Sequence, residues 1–370
     1  MFEKIKALCD SFLQQGLIGF DLMICKDGKC VARHMGGYAD RENKIPVKGD
    51  ELYDIYSCSK LITCTAALQL WEKGLFKLED KLSKYLPEFE HMTVMQEDGS
   101  VVPAKNPIYI HNLFSMTAGM DYDASAAKKR CMAENDGRCP TRELIRYLAE
   151  KPLVSEPGTF WRYRLAHDVI AALVEVISGQ NFNDYVTENI FKPLGMTRST
   201  YLPTPEEVAQ IIPLYKYEKE LGEAVLQPKG NSYRFGPEYC SGGAGCVSTV
   251  EDYMKFLEGL RTGKLLKPET VQLMQTNRLT PEQARGYTVE RRGYGLGVRT
   301  PFPGNPYTDF GWGGAGGAYL AVDVPNGLTL FFCQHMFFTP IPKALTYGYA
   351  FDEVTGTHTV IKEDAVNALY

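Results

Sequence analysis

Asp54-Ile55-Tyr56-Ser57-Cys58-Ser59-Lys60-Leu61-Ile62-Thr63-Cys64-Thr65-Ala66-Ala67-Leu68 is the stretch on which the reading of this chain turns. It sets a serine at a helix start and a lysine three residues on, so that Oγ and Nζ share one helical face. A serine hydroxyl is a weak nucleophile and needs an adjacent base. A lysine serves when burial and a positive potential lower its pKa, and a helix N-terminus supplies such a potential. The same helix end aims free backbone N–H groups at an incoming carbonyl. Ser57 is therefore the expected nucleophile and Lys60 its base.

The spacing alone is common. It recurs as Ser125-Ala126-Ala127-Lys128, and ordinary residue usage yields about one such match in a chain of this length. Context separates the two. Ser57 precedes an apolar run containing Leu61, Ala67, Leu68 and Trp71, whereas Ser125 stands among Asp121, Asp123, Lys129 and Arg130, in a polar loop that would not desolvate a lysine. Cys58 and Ser59 lack the i, i+3 relation to Lys60 and read as packing or capping residues.

Composition narrows the function. The 370 residues are 44% hydrophobic and 23% charged, as in an ordinary globular protein with length for a large core. A net charge of −5 without runs of like charge argues against nucleic-acid or acidic-membrane partners. The first residues carry no secretory pattern: Glu3, Asp10 and two glutamines interrupt the apolar positions. Phe2, Ile5, Leu8, Phe12 and Leu13 instead recur at helical spacing, with Gly16 as a stop. No apolar run reaches the length of a membrane span, so a cytoplasmic protein is expected. The ten cysteines are scattered without CxxC, and the six histidines are equally dispersed, so neither a metal site nor any cofactor is indicated. The thiols read as free, small apolar side chains.

Working outward, Gly19–Cys25 and Cys30–Gly36 flank Lys26-Asp27-Gly28-Lys29, a hairpin signal. Gly317–Val324 and Leu328–Gln334 flank Pro325-Asn326-Gly327, a second hairpin, and Tyr294–Thr300 reads as an earlier strand. Between these ends the pattern is helical: Ser59–Lys73, an amphipathic helix closed by Gly74, then Thr141–Glu150, His167–Ser178, Asn183–Ile190 and Val250–Arg261. Tyr122–Pro140 and Glu218–Arg234 read as exposed loops. The expected fold is α+β: an antiparallel sheet formed from both chain ends and flanked by helices, with a mainly helical domain inserted. The expected division is residues 1–50 with 235–370, and 51–234, with the active site at their interface.

Further segments carry a family resemblance. Trp71-Glu72-Lys73-Gly74, Leu78-Glu79-Asp80 and Tyr85-Leu86-Pro87 are followed by His111-Asn112-Leu113-Phe114-Ser115-Met116-Thr117-Ala118-Gly119-Met120. Pro157-Gly158-Thr159, Tyr163, Gly179 and Phe191-Lys192-Pro193-Leu194-Gly195-Met196 come next, then Gly242-Gly243-Ala244-Gly245-Cys246-Val247-Ser248-Thr249. With Ser57-Cys58-Ser59-Lys60, this order resembles the serine β-lactamase-like superfamily, on the branch of class C β-lactamases, D,D-peptidases and family VIII carboxylesterases. The resemblance implies a β-lactamase/transpeptidase-like fold. It also implies Tyr163 as the second catalytic element, shuttling a proton between Ser57, Lys60 and the leaving group. The third element falls on Trp312-Gly313-Gly314, with an oxyanion hole from the N–H groups of Ser57 and Ala315. Lys26-Asp27-Gly28 and Arg261-Thr262-Gly263 lie outside the family's order. His167, inside a helical run, reads as capping or packing.

Two departures bear on substrate. Trp312 stands where lactamases and peptidases of the family usually have Lys or His, and Leu165 stands where they have asparagine. Trp312, Gly313, Gly314 and Leu165 are the expected substrate-binding positions, and both changes favour an ester or hydrophobic acyl donor over a β-lactam or peptide. Arg162, Arg164 and Arg234 are candidate carboxylate binders. The leading expectation is a carboxylesterase or acyltransferase acting on a small-molecule acyl substrate. A β-lactamase or D,D-peptidase of the same mechanism is the alternative. A silent binding module is disfavoured by the intact Ser57, Lys60 and Tyr163 set.

Overall fold

The computed structural model describes residues 2–289 and 291–359; residues 1, 290 and 360–370 of the first expected unit lie outside them. Both chain ends enter one sheet of eight antiparallel strands. Gly19–Lys26 lies inside it, between Lys29–Asp40 and Leu328–Cys333, with Asp21 opposite Cys333 and Lys26 opposite Leu328. Tyr319–Asp323 and Phe310–Gly313 follow outward. The first hairpin turns at Asp27 (φ 50°) and Gly28 (φ 81°), the paired left-handed residues that an Asp-Gly turn supplies.

Alternation assigns each face of the sheet. Tyr319, Ala321, Leu330 and Phe332 point to one side, where Ile5, Cys9 and Phe12 of the helix Glu3–Gln14 and Tyr347, Ala350 and Phe351 of Leu345–Thr355 cover them. Leu320, Val322, Phe331 and Cys333 point to the other side, against Tyr253, Phe256 and Leu257 of Val250–Arg261. That second core runs on without a break into the helical middle of the chain.

Five segments differ from expectation. The helix Ser59–Glu72 follows a 3₁₀ turn, Tyr56–Cys58, and is buried on all sides from Ser59 to Leu68 rather than amphipathic. Its threonines tolerate this because Thr63 donates to the Gly242 carbonyl at 2.8 Å and Thr65 to Leu61 at 2.7 Å. Tyr122–Pro140 is not wholly a loop: Ser125–Glu134 is a helix built from Ala, Lys, Arg and Met, good helix formers with too few apolar residues to show a period. Within Glu218–Arg234, Glu223–Leu226 pairs back on Tyr215–Glu218. Tyr294–Thr300 is two short strands, Gly293–Tyr294 and Arg299–Thr300, folded on each other around Gly297. The expected helix Asn183–Ile190 is an α-turn, Phe182–Val186, running into a π-turn, Thr187–Phe191. Cys30 is exposed and the other nine cysteines are buried thiols. Among the described residues no helix is long and apolar enough to cross a membrane.

Candidate active site

The backbone turns sharply just before Ser57. Tyr56 has φ 46°, a left-handed conformation that a bulky residue adopts only when its surroundings hold it. Its ring is clamped by Phe337 at 5.3 Å, His335 at 6.2 Å and Tyr233 at 6.5 Å between centroids. The helix start is anchored from behind. Tyr253 donates to the Cys58 carbonyl at 2.7 Å, Tyr201 to the Ser59 carbonyl at 2.8 Å, and Ser59 Oγ accepts from Cys246 N at 3.0 Å. Ser59 thus ties the Gly-rich segment to the nucleophile turn. Cys58 is fully buried and burial pushes its thiol up to about 12, which suits packing.

Lys60 is 2% exposed, and its Nζ lies 3.2 Å from Ser57 Oγ and 2.7 Å from the Gly243 carbonyl. Its amine stands 4.5 Å from the centre of the Tyr163 ring. Burial raises the Tyr163 phenol above its ordinary range, while hydrogen bonding with Ser57 and Trp312 pulls it part of the way back. Trp312 Nε1 donates to Tyr163 Oη at 2.9 Å, and the two rings lie 5.4 Å apart. Ser57, Lys60, Tyr163 and Trp312, spread over most of the chain, therefore meet.

The strand Phe310–Gly313 pairs fully with Tyr319–Asp323 but touches its outer neighbour at one position only, Gly311 opposite Arg299. Beyond it the turn from Gly314 to Gly317 is closed by Gly317 N to Gly314 O at 2.9 Å and packs on the nucleophile turn. A Cβ at Gly314 would stand 2.5 Å from the Ile55 carbonyl, so only glycine allows this approach. Ala315 is exposed, and among the described residues nothing accepts its N–H, which suits a donor waiting for an oxyanion. Leu165 is placed differently from the other expected binding residues. It is 3% exposed and lines a separate cavity in which Phe89, Met92, Met120 and Val169 stand beside the charged Asp121, Asp123 and Lys151. His167 is buried at van der Waals range from Cys64, and burial, with Lys60 nearby, drives its imidazole well below the ordinary range.

One residue of the site escaped the sequence reading. Asp168 is 1% exposed, and its Oδ1 accepts from Ser241 at 2.7 Å and Tyr239 at 2.8 Å. Burial raises its carboxyl above the ordinary range, against the opposing pull of Ser241, Lys60, Tyr239 and the Gly243 N–H. Gly243 lies between the two side chains: its N–H faces Asp168, its carbonyl takes Lys60, and a Cβ there would come within 2.6 Å of Asp168 Oδ2 and 3.3 Å of Lys60 Nζ. A carboxyl inside the apolar run Ala166–Ile177 was the available signal.

Fold and site define a serine hydrolase of the β-lactamase/transpeptidase-like fold. The chain belongs to the Beta-lactamase family, whose sequence profile matches residues 3–340. It is 28% identical over 398 residues to the esterase EstB of Burkholderia gladioli, covering 99% of this chain and 95% of that protein. It is 33% identical over 257 residues to the lovastatin esterase of Penicillium rubens, covering 66% of this chain and 64% of that protein. Among solved structures, EstCE1, described as a hydrolase with promiscuous acyltransferase activity, superposes with a TM-score of 0.75 at 26% identity, over 91% of this chain and 93% of that one.

Proposed function

We propose that the chain is a carboxylesterase or acyltransferase that forms an acyl-enzyme on Ser57 with small or hydrophobic esters. The observation that carries this reading is Lys60 Nζ at 3.2 Å from Ser57 Oγ, beside an uncharged Trp312–Tyr163 wall. Lys60 takes the Ser57 proton as Oγ attacks the ester carbonyl, and the N–H groups of Ser57 and Ala315 receive the negative charge on oxygen. Tyr163, kept in its phenol form by burial, passes its proton to the departing alcohol and takes in exchange the proton that Lys60 gained from Ser57, so both groups return to their starting forms. Water, or a second alcohol or amine, then takes the acyl group. The esterase relatives support this chemistry, and the absence of a charged residue at 312 supports esters over β-lactams.

Three lesser assignments belong to the same proposal. A cytoplasmic location is supported by unpaired thiols throughout, and a small-molecule rather than nucleic-acid partner by the net charge of −5. Residues 1–50 with 235–370 form one unit and 51–234 an insertion, a division supported by the sheet drawn from both chain ends.

A fluorophosphonate probe followed by peptide mass spectrometry is expected to place the adduct on Ser57; labelling elsewhere, or none, overturns the assignment. In parallel, kcat/KM for 4-nitrophenyl acyl esters is expected to exceed that for nitrocefin, and the reverse order would make the protein a β-lactamase. Trp312→Phe keeps an aromatic wall but removes the donor to Tyr163 Oη. One neutral hydrogen bond is worth about 1 kcal/mol, so kcat/KM for esters is expected to drop about fivefold, read by steady-state kinetics. An unchanged value would mean that the bond does not act on the phenol.

A further inference from the structure

Three arginines lie near the aromatic cleft, and they differ in what already holds them. Arg234 is ion-paired with Asp54, its side chain only 15% exposed. Arg162 lies over the Phe160 ring at 4.9 Å, and Phe160 itself packs against Gly286. Arg164 is half-buried, and its Nη1 donates to the Tyr163 carbonyl at 2.7 Å. Its guanidinium stands 5.2 Å from the centre of the Tyr122 ring. Among the described residues no carboxylate is within ion-pair distance of Arg164: Asp121, the acid that feels its charge, is bonded to Lys151 at 2.8 Å. One N–H of five is occupied, and a planar fork held on an aromatic face is ready to bind a carboxylate.

The place of this group decides its use. The Tyr122 ring meets Tyr163 at 6.3 Å and Tyr233 at 6.3 Å, and Tyr233 in turn meets Tyr56, the neighbour of Ser57. Tyr122 and Tyr233, from the two segments read as exposed loops, thus join across the cleft, and Arg164 stands one ring away from the catalytic phenol. The other acids near the cleft are occupied: Asp54 by Arg234, Asp121 and Asp123 by Lys151, and Asp168 by Ser241 and Tyr239 beneath Lys60. Arg164 is therefore left beside the catalytic phenol with no acid bonded to it.

We propose that Arg164 binds a carboxylate carried by the substrate, so that the preferred esters are anionic: half-esters of dicarboxylic acids, or esters of carboxyl-bearing alcohols. This rests on the acyl-enzyme reading given above. Hydrogen bonds to charged partners are stronger than neutral ones, and a preference of about tenfold or more for the anionic ester is expected. It weakens as salt rises, because the cleft is open to ions.

The test compares ester pairs matched in shape. On the acyl side these are 4-nitrophenyl hydrogen adipate and 4-nitrophenyl hexanoate; on the alcohol side, 4-acetoxybenzoate and 4-acetoxybenzamide, each corrected for its uncatalysed rate. The anionic-to-neutral ratio of kcat/KM is expected to reach about tenfold in one arm, which tells where the carboxylate sits. Arg164→Gln is expected to bring that ratio close to one, and Arg164→Lys to keep part of it. Using a ratio within each variant cancels any loss of folded protein. A ratio at or below one in both arms of the wild type, or one that survives Arg164→Gln, overturns the proposal while leaving the esterase reading in place. Turnover of none of the four esters would overturn both.

Discussion

Lys60→Ala is expected to lower kcat/KM for a 4-nitrophenyl ester by about 10³-fold or more, with the rate of fluorophosphonate labelling at Ser57 falling alongside it. Among the described residues the other titratable group that meets Ser57 is the Tyr163 phenol, which burial holds in its protonated form; His167 is buried and bonded towards Phe114, and Asp168 is bonded to Tyr239 and Ser241. Removing the amine also leaves the Gly243 carbonyl without its 2.7 Å donor, at a cost of about 1–3 kcal/mol. A thermal unfolding curve must therefore accompany the kinetics. Lys60→Arg separates charge from basicity. A guanidinium keeps the positive charge but cannot give up its proton in a protein, so it is expected to be as inactive as the alanine variant. An arginine variant that retains most of the ester turnover would remove Lys60 from the role of base and leave it an electrostatic one.

What could be read from sequence divides along physical lines. The sheet was legible because its two hairpins carry local turn chemistry, Asp27-Gly28 and Asn326-Gly327, between runs of alternating residues. Ser57 and Lys60 were legible because a helix imposes their proximity at three residues' spacing. Tyr163 and Trp312 needed the family's order, since no local rule brings residues 149 positions apart within 2.9 Å. The helix Ser125–Glu134 was missed because its stability comes from propensity and from a few buried side chains, Ala127 and Cys131, rather than from a full apolar face. Tyr56 was missed for a related reason: its left-handed backbone is held by Phe337, His335 and Tyr233, all distant in the chain. Arg164 could be named as a candidate but not chosen over Arg162 and Arg234, because the choice depends on Asp54 holding Arg234 and on Arg164, rather than Arg162, standing over the Tyr122 ring that meets the catalytic phenol.

Asp168→Ala is expected to destabilise the fold by about 3 kcal/mol and to lower kcat about a hundredfold with a much smaller change in KM. The carboxyl accepts from Tyr239 and Ser241, 71 and 73 residues further along the chain, and faces the Gly243 N–H. Its loss strands those donors in the core and frees the segment that presents the Gly243 carbonyl to Lys60. Asp168 touches no reacting atom, so its part is to position Lys60, and the kcat effect with KM spared is what distinguishes that from general damage. Asp168→Asn refines the test. Burial sets the folded-state pKa of Asp168 above the unfolded value, so the folded protein binds the extra proton. The stability this group adds is then full below about pH 4 and is lost as pH rises through the folded-state pKa. Asparagine does not titrate and removes that slope, so the difference in unfolding midpoint between wild type and Asp168→Asn is expected to shift in favour of the variant from pH 4 to pH 7. Parallel curves would show that the carboxyl titrates alike in both states. Asparagine keeps the shape of the side chain and one acceptor oxygen but no charge. If it restores stability without restoring kcat, the negative charge beneath Lys60 is what the reaction requires; if it restores both, the hydrogen-bonded scaffold suffices.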